Sequence, residues 1–215
     1  MYNENIDSET SARCREFLLA DVGPRITVLD IGCGDGELMS ELAARGCSAS
    51  GVEIDRVLVE ACQISGLRVT EGRAEDLPIA DASIDLIVCS VVLPYTDERR
   101  AVAEWAGVLK PGGAVNATFH GVGYGLDYLF HGPGWKRRFY GFRMLANTFF
   151  YGLFGRRLPG FVGDTLCQTE RRMRSYYRKY GLDLESEQIV GVVLGSPQFI
   201  CHRVVKIDDT FQTNK

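Results

Sequence analysis

Several things that would assign this chain to a class are missing from it. Its first residues are polar and acidic (Asn3, Glu4, Asp7, Glu9), without the basic and apolar regions of a secretory signal. No apolar run reaches the roughly 18 residues of a membrane-spanning helix. The nearest, Phe142 to Gly155, is shorter and holds Arg143. The seven cysteines are odd in number and contain no CxxC pair, and several sit inside apolar runs. That pattern excludes a disulfide framework or a zinc site and suits buried thiols in a reducing compartment. There are no repeats and no biased segments. The net charge of -4 argues against generic nucleic-acid binding. We therefore expect a cytoplasmic protein of one domain, with no metal site and no nucleic-acid partner, large enough at 215 residues to bury a core without staples.

What is present is an alternation of short apolar runs with helical stretches. A helix is expected from Ser8 to Leu19, stopped by Gly23-Pro24. Strands follow at Ile26 to Asp30, Ala49 to Glu53, Leu67 to Thr70, Ile84 to Ser90 and Ala114 to His120, with helices between them. This rhythm predicts right-handed crossovers and a mostly parallel, doubly wound α/β sheet. The rhythm then breaks. Gly121 to Gly181 is far longer than one crossover, and it reads as a helical insert between the fifth and sixth strands. Within it Trp135, Phe139, Phe142, Leu145, Phe149 and Leu153 recur at helical spacing, and a second helix is expected over Thr165 to Tyr180. Two last strands, joined at Gly195-Ser196-Pro197, predict a closing hairpin and an antiparallel last strand.

The chemistry concentrates in Asp30-Ile31-Gly32-Cys33-Gly34-Asp35-Gly36. An apolar strand ends at Asp30, and the chain turns through glycines at alternate positions into a helix. Glycine allows left-handed backbone and lets a ligand approach without a Cβ in the way. A nucleotide-like group can therefore lie over the turn, at the carboxyl end of the sheet. A merely tight turn would explain one or two of these glycines but not three. The pattern also departs from the dinucleotide fingerprint: Asp35 and Glu37 would repel a pyrophosphate but tolerate a ligand with a cationic amino-acid end. Glu53 closes the next strand, where a carboxylate can accept from both ribose hydroxyls.

Residues 27 to 113 resemble the core of class I, Rossmann-like S-adenosylmethionine-dependent methyltransferases. The resemblance rests on this glycine turn and on Gly51-Val52-Glu53-Ile54-Asp55. It also rests on Gly72-Arg73-Ala74-Glu75-Asp76-Leu77-Pro78, Ser83 to Val88, and Leu109-Lys110-Pro111-Gly112-Gly113. It implies a seven-stranded sheet and S-adenosyl-L-methionine as cofactor. By position, Asp30, Gly32, Cys33, Gly34 and Gly36 would surround the methionine part, Glu53 the ribose, and Ile54, Ala74 and Glu75 the adenine. Ser90 would lie near the sulfonium. Arg73 stands where the family often has Asp or Asn for the adenine amine, which moves that contact to Glu75 or the backbone. Tyr95 stands where histidine is common. The implied organisation is an N-terminal helical cap (1–24), a cofactor-binding core (25–120), a helical substrate lid (121–181) and a terminal β-hairpin (182–207).

Methyl transfer needs the acceptor held in line with the methyl carbon, and a base only when the acceptor carries a proton to lose. His120, ending the fifth strand, is the first candidate; Tyr95 and His131 are the others, while His202 inside the last strand reads as structural. Tyr124 and Asp127 lie close behind His120 and can share its work. The lid segment Leu126 to Tyr180 carries eleven Lys and Arg against three acids. Four readings of it stay open: a lid whose aromatic stripe packs on the core, a trap for an anionic small-molecule acceptor, a basic aromatic surface for a membrane, and RNA binding. The expected activity is methylation of a small molecule at oxygen, the acceptor being a polar or anionic metabolite, natural product or sugar. The rivals are a lipid or quinone methyltransferase at a membrane surface and a non-catalytic cofactor-binding partner protein.

Overall fold

The computed structural model describes residues 8–208. Helix α1 (Ser8–Leu18) precedes β1 (Thr27–Ile31), α2 (Glu37–Ala44), β2 (Ser48–Glu53), α3 (Arg56–Ile64), β3 (Val69–Glu71) and β4 (Ile84–Ser90). Next come α4 (Glu98–Val108), β5 (Leu109–His120), α5 (Val122–His131), α6 (Gly134–Phe154), α7 (Glu170–Lys179), β6 (Leu182–Val193) and β7 (Ser196–Lys206). The seven strands form one sheet in the order β3-β2-β1-β4-β5-β7-β6. Pairings from β3 to β5 are parallel, and β7 runs antiparallel to both β5 and β6. The expected fold, including the insert between the fifth and sixth strands, is what is found.

β1 and β4 are the two central strands from which the crossovers depart in opposite directions, and the crevice at their carboxyl ends is where such sheets take ligands. The core beneath is built from the runs that read as buried strands, with Leu29, Ile87, Val115 and Phe119 packed on Trp105 of α4 and Tyr177 of α7. Asp55 and Asp97 cap α3 and α4 by accepting backbone N–H groups of the first turn, which fixes where each helix leaves the sheet edge.

The insert and the hairpin after it depart from expectation in three ways. First, the insert's last helix begins at Glu170, and 164–169 is irregular chain. The Leu166 N–H donates to the Pro94 carbonyl and the Gln168 N–H to the His120 carbonyl, so these amides are claimed by neighbours outside any helix. Second, the hairpin turns at Leu194-Gly195, with Val193 paired to Ser196. Both turn residues have positive φ (49° and 75°), the two-residue geometry that matches strand twist. Third, the aromatic stripe of α6 does not face the core. Trp135 is 73% exposed and Phe149 71%, with Phe139, Phe142 and Leu153 also exposed and Leu145 half-buried, while Gly141, Arg143, Met144, Asn147 and Thr148 are the buried positions. The reason is close helix packing. A Cβ on Gly141 would lie 2.6 Å from the Gly125 carbonyl oxygen and from the Leu129 nitrogen, so α5 and α6 meet backbone to backbone along small residues.

Candidate active site

The glycine turn is built from both sides. The Gly32 and Cys33 N–H groups donate to the Val52 carbonyl, which ties the loop to β2. A Cβ on Gly32 would strike Val92, and one on Gly36 would strike Leu67. At Gly34 (φ 57°) nothing lies within 4 Å of the missing Cβ, so this peptide faces open space. Gly34 is therefore the point at which a ligand can lie against bare backbone. The Cys33 side chain points the other way, into a cluster with Met39, Val59, Cys62 and Val69. Only its backbone remains available to a cofactor.

Glu53 reaches across to this turn. One carboxylate oxygen accepts the Gly34 N–H at 2.9 Å, and the other accepts those of Ile54 (2.8 Å) and Asp55 (3.0 Å). Three backbone donors hold the carboxylate in place, filling Oε1 and leaving Oε2 with capacity for one further donor. Ile54, beside it, is exposed and offers an apolar face. Asp30 is buried at the end of β1 with its Oδ2 lacking any hydrogen-bond partner. Burial, with the Glu53 charge adding to it, pushes the Asp30 carboxyl up to about 7. A buried acid left without a donor calls for a cationic or hydrogen-bond-donating ligand group.

The other expected cofactor residues flank this row. Ala74 is buried against the core. Glu75 is partly committed, its Oε1 accepting the Asp97 N–H at 2.9 Å and its Oε2 lying 3.7 Å from Arg73. Ser90 ends β4 opposite Thr118 of β5. Immediately after it Val91 adopts φ 56°, an unusual conformation for a β-branched residue. Its N–H is held by the Thr118 carbonyl at 2.8 Å. Backbone strain of this kind persists where surroundings over-determine it, and here it turns the chain so that Val92 covers Gly32. Val91 and Val92 escaped the sequence reading because nothing in a Val-Val pair signals a left-handed turn.

On the other side of the crevice His120 is 3% exposed. Its ring stacks on Tyr124 (centroids 3.6 Å apart, planes within 5°) and meets Phe199 and Tyr95 edge-on. Its Nδ1 is buried without a partner. Burial lowers its pKa to about 3, so the ring is neutral. A group that weakly basic is a poor proton store near neutral pH and acts better as a hydrogen-bond acceptor. Tyr95 is half exposed, and burial pushes the Tyr140 phenol of α6 above its ordinary range. Tyr140 donates to Thr165 (3.4 Å), and Tyr124 donates to Tyr128 (3.2 Å). Beside Tyr95 lies a cavity of about 530 Å³, lined also by Thr96, Tyr151, Arg157 and Asp164.

Two expectations move away from the site. His131 closes the far end of α5, roughly 14 Å along the helix from its start beside His120. It is exposed and pairs with Asp127 at 3.0 Å. Asp127 in turn accepts from Gln198, so neither joins His120. His202 is fully buried in β7, between the Tyr177 hydroxyl (3.0 Å) and Glu187 (2.9 Å). Much of the lid's positive charge is also spoken for. Arg143 is buried against Asp164 at 2.9 Å, Arg172 pairs with Glu98, and Arg157 donates to the carbonyls of Pro94, Thr96, Gly163 and Asp164.

Comparison with known proteins places this arrangement. Residues 29–116 match the family described as a methyltransferase domain. Among curated proteins, malonyl-[acyl-carrier protein] O-methyltransferase of Dechloromonas aromatica is 31% identical over 137 residues, which is 54% of this chain and 50% of that protein. The chain thus spans about half the length of this curated relative. Among solved structures, an S-adenosylmethionine-dependent methyltransferase from Mesorhizobium loti superposes with a TM-score of 0.68 at 17% identity, covering 93% of this chain and 99% of that one. The geranyl diphosphate C-methyltransferase of Streptomyces coelicolor A3(2), in complex with Mg2+, geranyl diphosphate and S-adenosyl-L-homocysteine, superposes at 0.65 with 15% identity, covering 92% and 79%. Residues 29–116 thus match the methyltransferase-domain family, and the chain has the fold of the class I S-adenosylmethionine-dependent methyltransferases.

Proposed function

We propose that the chain transfers the methyl group of S-adenosyl-L-methionine to a hydroxyl oxygen of a small molecule. The observation that carries this reading is the row formed by Asp30, the open Gly34 peptide and Glu53 at the carboxyl edge of β1 and β2. The cofactor suits that row: its amino group would supply the donor that Asp30 lacks, and a ribose hydroxyl would donate to the free site on Glu53 Oε2. Ile54 and Ala74 would bracket the adenine, and Ser90 would lie toward the sulfonium. The bound cofactor supplies an activated methyl group, so the chain's own contribution is alignment and exclusion of water. Alignment of that kind is worth on the order of 7 to 11 kcal/mol in favourable cases.

For the acceptor, the structure offers aromatic walls and neutral hydrogen-bonding groups. His120 stays neutral and would accept a hydrogen bond from an acceptor hydroxyl, orienting its lone pair, while Tyr95 and Tyr140 line the opposite wall. As the oxygen–methyl bond forms and the sulfur–methyl bond breaks, the hydroxyl proton would pass to solvent. This favours an acceptor with an aromatic or otherwise apolar body and a hydroxyl at its reactive end. The anionic-acceptor reading loses support because Arg143, Arg157 and Arg172 are engaged within the lid. A lipid-borne acceptor is the second reading, favoured by the exposed stripe of α6.

The test is transfer of labelled methyl from S-adenosyl-L-methionine into extracts of the source cells, partitioned between water and organic solvent, with Glu53→Ala as control. The reading expects organic-phase label that falls at least tenfold with the variant. Tight cofactor binding with no labelled product in either phase would make the chain a cofactor-binding partner protein instead.

A further inference from the structure

We propose that the outer face of α6 is a docking surface for an anionic lipid bilayer, lying in the plane of the interface. α6 spans 21 residues, about 30 Å, and contains no acidic residue. Trp135, Phe139, Phe142, Phe149 and Leu153 fall at offsets of 4, 7, 14 and 18 from the first, which places them along one line of the helix. All are exposed, and Phe161 extends the patch, its ring 6.4 Å from Phe139. An apolar stripe of this size on an outer face is uncommon for a freely soluble chain.

Charge selects the occupant. Lys136 and Arg138 flank Trp135 and Phe139 on either side, both exposed, and neither has an ion-pair partner among the described residues. Arg156 stands exposed just past the other end. Cations bordering an aromatic stripe complement phosphate headgroups above acyl chains. A second copy docked through the same face would bring these cations against one another. The helix carries Lys136, Arg137, Arg138 and Arg143, and no described helix is long and apolar enough to cross a membrane, so α6 would lie on the bilayer rather than span it. Its opposite face carries Tyr140, which donates to Thr165 and packs on Tyr128, whose hydroxyl accepts from Tyr124 beside His120. One helix would thus touch lipid outside and the acceptor chamber inside.

The experiment uses the full chain with vesicles of phosphatidylcholine alone or mixed with phosphatidylglycerol. The chain has two tryptophans, and Trp105 is 0% exposed, so a change in emission reports Trp135. We expect a blue shift and co-sedimentation with the anionic vesicles, both weakened by salt. Phe142→Glu with Phe149→Glu should cut binding by about tenfold or more, and Lys136→Glu with Arg138→Glu by about twentyfold or more. All four positions are exposed, so the thermal midpoint and S-adenosyl-L-homocysteine affinity should stay unchanged. The proposal is independent of the methyl-transfer reading, since vesicle binding needs no acceptor. Absence of both signals at low salt would overturn it. A concentration-dependent dimer that the phenylalanine variants dissociate would also overturn it, assigning the stripe to a second copy.

Discussion

At the scale of single residues the site depends on what is missing as much as on what is there. The Gly34 peptide has positive φ and open space where a Cβ would be, whereas Gly32 and Gly36 lie against Val92 and Leu67. Gly34→Ala therefore separates two costs. Left-handed backbone costs an alanine about 1 kcal/mol, a small loss of stability read from the denaturation midpoint. The added methyl group, however, enters the face where cofactor would lie, and we expect its affinity, measured by calorimetry, to drop more than tenfold. An unchanged affinity would remove Gly34 from the cofactor surface. The carboxylates and glycines of this row were legible in the sequence because each fills a local role at the end of a strand. The state of His120 was not. Its position at a strand end was readable, but its neutrality follows from Tyr124 and Phe199 closing over it, and Phe199 is distant in sequence.

Among the elements, strands β1 to β5 with their helices were readable because each is a short apolar run bounded by glycine, proline or a capping acid. The orientation of α6 was not readable, because helical periodicity reveals a stripe without saying which side is core. Here the glycine contact with α5 puts the small face inward and the aromatic face outward. Besides the packing of Met173 and Tyr177 in the core, a buried ion pair ties the insert down: Arg172 of α7 and Gln168 both reach Glu98 of α4, whose side chain is almost fully buried. A buried pair adds little net stability, but breaking one side leaves a charge stranded. Arg172→Ala should thus cost about 3–5 kcal/mol in chemical denaturation. Removing both charges in Arg172→Met with Glu98→Gln should recover most of that. If the double variant were as unstable as the single one, packing of Arg172, which also lies over Tyr151, would be the main contribution instead of charge.

For the molecule as a whole, buried groups of opposite sense set how stability follows pH. Asp30 is raised to about 7 in the folded chain. Between its ordinary value and that one the folded state holds a proton the unfolded state has lost, so Asp30 makes stability fall as pH rises. His120 and His202 are both lowered to about 3 by burial. Between about 3 and 6.5 the unfolded state holds protons that the folded state excludes, so each histidine makes stability rise with pH. In the overlap, near pH 5 to 6, two histidines against one aspartate leave unfolding with a net uptake of about one proton from these groups. Their joint contribution should rise by about 1.4 kcal/mol per pH unit and level off above pH 7. Asp30→Asn removes the opposing group, so the slope over the same window should steepen to about 2.7 kcal/mol per unit. Urea unfolding at several pH values for both proteins measures the difference between the slopes, in which other titrating groups cancel. Equal slopes would show that Asp30 titrates alike folded and unfolded, and would remove the buried, donor-seeking carboxylate on which the cofactor assignment rests.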